Sequence, residues 1–136
     1  MRNGATVAEK AVIDASAIVD LLARSGGGPA ALVRLSGREL HAPAHLDAEV
    51  LSGLGRLHRA GALSADEVTI RLGEFINAPI TRHDLAFLVA GAWQRRHRLR
   101  LADALYAELA ERLGLPLITT DARLARVFPR AEILPA

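Results

Sequence analysis

The sequence predicts an α/β fold: a single domain with a mostly parallel central sheet flanked by helices on both faces. Three observations predict it. Short apolar, β-branched runs alternate with segments whose apolar residues recur at helical spacing. Two of those runs, Ala11-Val12-Ile13 and Leu117-Ile118-Thr119-Thr120, each meet a carboxylate (Asp14, Asp121) and then pass into a helical pattern. Finally, 136 residues that are 51% hydrophobic but 4% aromatic are enough for one core of Leu, Val, Ile and Ala, and too few for two ordinary domains.

Taken in order, 1–9 is a flexible lead and 10–136 the domain. The first strand ends at Asp14, and Ile18, Leu21 and Leu22 mark the helix after it. The Gly/Pro-rich stretch 25–29 is a loop. It follows a helix rather than opening one, so it is a poor phosphate cradle. A short helix over 30–35 and a second strand, Leu40-His41-Ala42-Pro43, come next. The helix over 46–59 carries an apolar stripe at Leu46, Val50, Leu54 and Leu57, with Glu49 inside it. Ser64 and Glu67 have capping-box spacing for a helix to about 75. A weak strand over 79–81 precedes a helix over 85–96, with Asp84 as its cap or first-turn charge. The last long helix, 101–113, ends at Gly114, and Glu108 and Arg112 mark its solvent side. Asp103 then points inward beside Tyr106, Ala107 and Ala110. A short helix from Ala122 and an edge strand over 131–134 complete the chain.

Composition removes several function classes. With no cysteine there is no thiol chemistry, disulfide or cysteine-ligated zinc. No apolar run approaches a membrane span, and the N-terminus lacks a signal-peptide core, so a cytoplasmic location is expected and no membrane partner. The formal charge is only +2. The high pI of about 9.9 arises because almost every base is Arg, leaving little to titrate between His and Arg. The charge is a mild pointer to a polyanion. The dense basic run Arg95-Arg96-His97-Arg98-Leu99-Arg100 is a solvated helix end by default, but it sits three residues before Asp103, where it is placed to guide a phosphate.

Asp14 and Asp121 end two strands, and Glu49 and Asp103 lie on inward helix faces. In such a sheet all four can meet above the central strands, at their carboxyl ends. Four carboxylates gathered without cations repel one another and lose hydration. Hard divalent cations resolve this, and an oxygen-only set suits Mg²⁺ or Mn²⁺. Ser16, Thr119 and Thr120 are placed to hydrogen-bond the carboxylates. Taken singly, the acids have plainer readings: Asp14 and Asp121 as helix caps, Glu49 as the partner of an arginine, Asp103 as a first-turn charge. Asp20, Asp47, Asp66, Asp84 and the five histidines read as surface or scaffold.

The set Val12-Ile13-Asp14-Ala15-Ser16, Glu49 after Pro43, Asp103-Ala104-Leu105-Tyr106 and Leu117-Ile118-Thr119-Thr120-Asp121-Ala122-Arg123-Leu124 resembles the PIN domain. Within that family it is most like the VapC toxins of bacterial type II toxin–antitoxin pairs. The likeness runs from about Lys10 to the end, and only the nine-residue lead departs from it. The resemblance implies a Mg²⁺- or Mn²⁺-dependent endoribonuclease with Asp14, Glu49, Asp103 and Asp121 as its metal pocket and catalytic acids; Asp14 and Asp103 match the usual ligands. It implies water-driven hydrolysis of tRNA, rRNA or mRNA leaving 5′-phosphate and 3′-hydroxyl ends. It also implies a homodimer and silencing by a cognate VapB-type antitoxin. Arg95, Arg96, Arg98 and Arg100 then become candidate RNA-backbone contacts.

Rival readings lack residues. A haloacid-dehalogenase-like site needs an aspartate where Ser16 stands, and a receiver domain needs a late lysine, whereas the only lysine is Lys10. A dinucleotide site needs a glycine fingerprint after the first strand. A PIN nuclease of RNA processing or decay, and a non-catalytic metal-dependent binding module, remain as alternatives.

Overall fold

The computed structural model describes residues 9–24 and 38–134. The strands are β1 (Glu9–Ile13), β2 (Arg38–Pro43), β3 (Ile80–His83), β4 (Leu117–Thr119) and β5 (Ala131–Ile133). The helices are α1 (Ala15–Ala23), α2 (Leu46–Arg59), α3 (Ala65–Asn77), α4 (Val89–Gln94), α5 (Leu101–Leu113) and α6 (Ala122–Val127). All strands run parallel in the order β3-β2-β1-β4-β5. The expected helix over 30–35, the loop over 25–29 and the lead, apart from Glu9 at the start of β1, lie outside the described residues.

Ala11, Val12 and Ile13 are all fully buried. Successive strand residues point to opposite faces, so both sides of β1 are covered. That is why β1 is a continuous apolar run rather than an alternating one. α1, α2 and α3 pack on one another, while α5 lies against β1, β2 and β4 with α4 beside it. From β1 the chain moves outward to β2 and β3, and later returns to the other side of β1 through β4. The gap between the carboxyl ends of β1 and β4 is therefore the switch point of the sheet, the usual place for a ligand crevice.

Local signals set most helix ends. Ser64 and Glu67 form both hydrogen bonds of the capping box, Ser64 Oγ accepting from Glu67 N–H and Glu67 Oε1 from Ser64 N–H. Gly114 takes φ +67° to close α5, a conformation that favours glycine. The segment after β3 differs from the expected single helix over 85–96. A 3₁₀ turn at Ala86–Leu88 precedes the short α4, and Asp84 caps neither. The causes are tertiary: Leu88 is fully buried and anchors the turn, and Arg95 leaves the helix to meet Glu108 on α5. Glu108 is accordingly no solvent marker, since Arg95 and Arg112 enclose it against α4.

α1 and α2 touch at Gly53, where an added Cβ would lie 2.7 Å from Val19 Cγ2. Gly53→Ala is expected to cost about 1–3 kcal/mol by forcing these helices apart. Gly73→Ala, on the open side of α3 with nothing within 4 Å, is expected to add up to about 1 kcal/mol through helix propensity. Urea midpoints of the two variants check the pair.

Candidate metal and nucleic-acid site

Asp14 follows β1 directly, and its side chain begins α1. Its Oδ1 accepts from Ala17 N–H at 3.0 Å and from Ser16 Oγ at 2.7 Å; its Oδ2 accepts from the Thr119 hydroxyl. Thr119 Oγ1 in turn accepts from Asp121 N–H at 2.9 Å, and Ser16 Oγ accepts from Thr120 N–H at 3.2 Å. These bonds tie the ends of β1 and β4 together. Ser16 and Thr119 are thus the companions of Asp14 that the sequence suggested, while Thr120 joins through its backbone. Only 4% of Asp14 is exposed. Burial holds its carboxyl above the ordinary carboxylate range, the nearby charge of Asp103 adds to this, and the hydrogen bonds oppose it.

Glu49, in the first turn of α2, accepts the Tyr106 hydroxyl at 2.6 Å. His45 Nε2 lies 3.5 Å from the same oxygen and 3.0 Å from the Ala102 carbonyl, with its ring tilted 43° against that of Tyr106 at 4.6 Å. Burial, and then the bond to Glu49, push the Tyr106 phenol far up, so it remains a donor. Tyr106 therefore serves both core and site, its ring packing while its hydroxyl orients Glu49. A buried tyrosine needs a partner for its hydroxyl, and its place on the Asp103 face was the available signal. The approach of His45 to Glu49 follows from their i,i+4 spacing, whereas its bond to the Ala102 carbonyl had no local signal.

Asp103 accepts from Arg100 Nε at 3.2 Å, and the same guanidinium reaches within 3.8 Å of Asp121. Asp121 also caps α6, accepting from Arg123 N–H at 2.8 Å. Asp14, Glu49, Asp103 and Asp121 all line one cleft of about 1130 Å³ that runs between α1 and α2. A second cleft, of about 350 Å³, is lined by Arg96, Arg98 and Arg123. Both clefts include Arg100, Asp103 and Asp121, so they adjoin at the acids. Of the four candidate backbone contacts, Arg96, Arg98 and Arg100 reach this second cleft. Arg95 does not: it is occupied by Glu108. Asp47 is also elsewhere, paired with Arg82 at 2.7 Å.

The donor set fits a hard divalent cation. Asp14 is buried with no cationic side chain bonded to it, and it shares its cleft with the like charge of Asp103. Every candidate ligand is a carboxylate oxygen. Among the described residues no three His, Asp or Glu side chains are gathered closely enough to hold a metal by themselves. One or two carboxylates, with water and phosphate oxygens completing the shell, is the usual arrangement for Mg²⁺.

The PIN domain family matches residues 11–128. Over 127 residues the chain is 57% identical to "Ribonuclease VapC3" of Mycobacterium tuberculosis (strain H37Rv), covering 93% of each chain. It is 39% identical to "Ribonuclease VapC12" of the same strain, covering 85% of this chain and 89% of the relative. The crystal structure of PAE2754 from Pyrobaculum aerophilum has the same fold, with a TM-score of 0.68 at 24% identity over 95% of this chain and 85% of that one. The chain belongs to the PIN-domain family, in its VapC branch.

Because folding raises the Asp14 pKa, the native state keeps its proton at pH values where the unfolded chain, near 3.8, has lost it. The metal-free protein therefore loses stability as pH rises from about 3.8 through the native pKa. Asn is an equally good cap, so Asp14→Asn is expected to raise the metal-free melting temperature by a few degrees at neutral pH and to flatten this dependence. Melting curves of both proteins across pH, in EDTA, check it.

Proposed function

We propose that this chain is a Mg²⁺- or Mn²⁺-dependent endoribonuclease toxin, neutralised in the cytoplasm by a cognate VapB-type antitoxin. The observation that carries this reading is the buried Asp14 carboxyl in one cleft with Glu49, Asp103 and Asp121, adjoined at Asp103 and Asp121 by a second cleft lined with arginines. Membership of the VapC branch supports the substrate class and the antitoxin. No helix among the described residues is long and apolar enough to cross a membrane.

Asp14 and Asp103 are the proposed principal ligands, with Glu49 and Asp121 completing the acid pocket. A divalent cation there would lower the pKa of water and neutralise charge developing on phosphorus. The chain's own part is positional. Thr119 and Ser16 hold both oxygens of Asp14, and the Tyr106 hydroxyl holds Glu49, so the acids need little rearrangement to act. Arg100 lies across Asp103 and Asp121 as an internal counter-charge, and is placed to meet a phosphate instead when one arrives. Arg96, Arg98 and Arg123 draw the strand to the acids.

Purified, antitoxin-free protein should cut RNA in Mg²⁺ or Mn²⁺, leave 5′-phosphate and 3′-hydroxyl ends, and stop in EDTA. Thr119→Val should lower the rate by roughly 10–100-fold, as loss of a group that orients a ligand does, and Asp14→Asn by more. Absence of both cleavage and calorimetric metal binding would shift the reading to a binding module. Expression of the chain alone should arrest growth, with co-expressed antitoxin relieving it; a tolerated chain that still cuts RNA would point to a processing nuclease.

A homodimer is part of the proposal. Ile70 and Ile76 on α3 and Val89 and Trp93 on α4 are more than half exposed. Val89 and Trp93 are four residues apart and share one ridge, as an apolar interface requires. Sedimentation at micromolar concentration should give a dimer, and a monomer there would overturn it.

A further inference from the structure

We propose that the arm of the larger cleft between α1 and α2 is a second RNA-backbone subsite, and that Arg56 is the positioning residue which grips a phosphate near the one at the acids. The inference rests on the ribonuclease reading and extends it to the path of the strand.

The first argument is size and direction. A cation and one phosphate occupy only a part of a cleft of about 1130 Å³, and the rest runs away from the acids past Val19, Ala23, Gly53 and Leu57. Those residues make its walls largely apolar, suited to the face of a sugar or base. The second argument is the ridge of α2. Glu49, Ser52, Arg56 and Ala60 all line the cleft at helical spacing, so the wall reads carboxylate, hydroxyl, guanidinium as it leaves the acids. Glu49 and Arg56 are seven residues apart, roughly 10 Å along the helix axis. Consecutive phosphates of a strand advance roughly 3.4 Å along a duplex axis and about twice that when stretched, so this spacing places Arg56 within about three nucleotides of the scissile bond, and nearer in a stretched strand.

The third argument is charge. Arg56 makes no side-chain hydrogen bond or ion pair among the described residues, unlike Arg82, Arg95, Arg100 and Arg112. Asp20, the other acid along this arm, is paired with Arg24 at 2.6 Å. A cation left unpaired beyond an acid pocket attracts a polyanion while the nearer carboxylates repel it. Together with the arginine-lined second cleft, this sets cations on both sides of the acids, so a strand spanning the junction is held at both ends and its middle phosphate lies at Asp14 and Asp103.

The test compares wild type, Arg56→Gln and Arg59→Gln on total tRNA and on a labelled mixed-sequence single-stranded RNA, in Mg²⁺. Arg59→Gln makes the same charge change on the same helix, at a position that does not line the cleft. Melting curves of the three should coincide, because Arg56 is exposed and unpaired. Arg56→Gln should raise KM about fivefold with kcat within about twofold, and should reduce the slope of log affinity against log salt by about 0.7, one phosphate's worth. Arg59→Gln should leave the slope unchanged. Equal KM and equal salt slope in wild type and Arg56→Gln, in a protein that cuts RNA, would overturn the subsite while leaving the nuclease reading intact. A wild-type protein that neither cuts nor binds either RNA would instead remove the ribonuclease reading, and the subsite with it.

Discussion

The carboxylate of Asp14 is almost sealed from water, yet three donors fill its two oxygens and no cationic side chain bonds to it. Much of the architecture near the sheet mouth follows from keeping that group in place. It starts α1, fixes Ser16 above the first turn and, through Thr119, ties the end of β1 to the end of β4. A buried polar network this connected specifies geometry, because any other arrangement would leave a charge unpaired in a low-dielectric setting. Burial and Asp103 nonetheless make the site costly without a cation, since both disfavour the ionised form and the hydrogen bonds offset them only in part. A centre that opposes its own negative charge in this way is well suited to bind positive charge.

Around Asp14 the other acids are restrained by different chemistry. Glu49 is held by a phenol whose proton burial makes hard to remove, so this bond does not switch within ordinary pH. Asp103 and Asp121 share an arginine that is itself mostly exposed. That gradient, from buried and fully hydrogen-bonded Asp14 to exposed Arg100, separates the groups suited to hold a cation from those suited to meet a substrate. Surface ion pairs of the second kind are weak in net terms and exchange partners at little cost.

The sheet order explains why the site lies where it does. With β1 central and its neighbours reached in opposite directions, the crevice falls between the two strands that end in aspartates. α2 and α5 border it, supplying Glu49 and Asp103 from their first turns. Gly53 allows α1 and α2 to approach closely, which forms one wall of the cleft.

The sequence by itself determined the strand–helix alternation, the parallel sheet and four acids that all line one cleft. These depend on short-range patterns: apolar runs for buried strands, helical periodicity for α2 and α5, and Ser64/Glu67 and Gly114 for helix ends. Ser16 and Thr119 were legible because they lie beside the aspartates in the chain. Only the tertiary structure decided the division of the segment after β3, where Leu88 and Glu108 act from a distance, and the separation of the arginines into paired and unpaired ones. Arg95 looked like its neighbours in the basic run but is consumed by Glu108, whereas Arg56, on another helix and far from any motif, lines the cleft. The bond from His45 to the Ala102 carbonyl likewise depends on α2 and α5 meeting. Local pattern encodes which residues a strand or helix buries, but the partner of a long charged side chain depends on elements brought together only by folding.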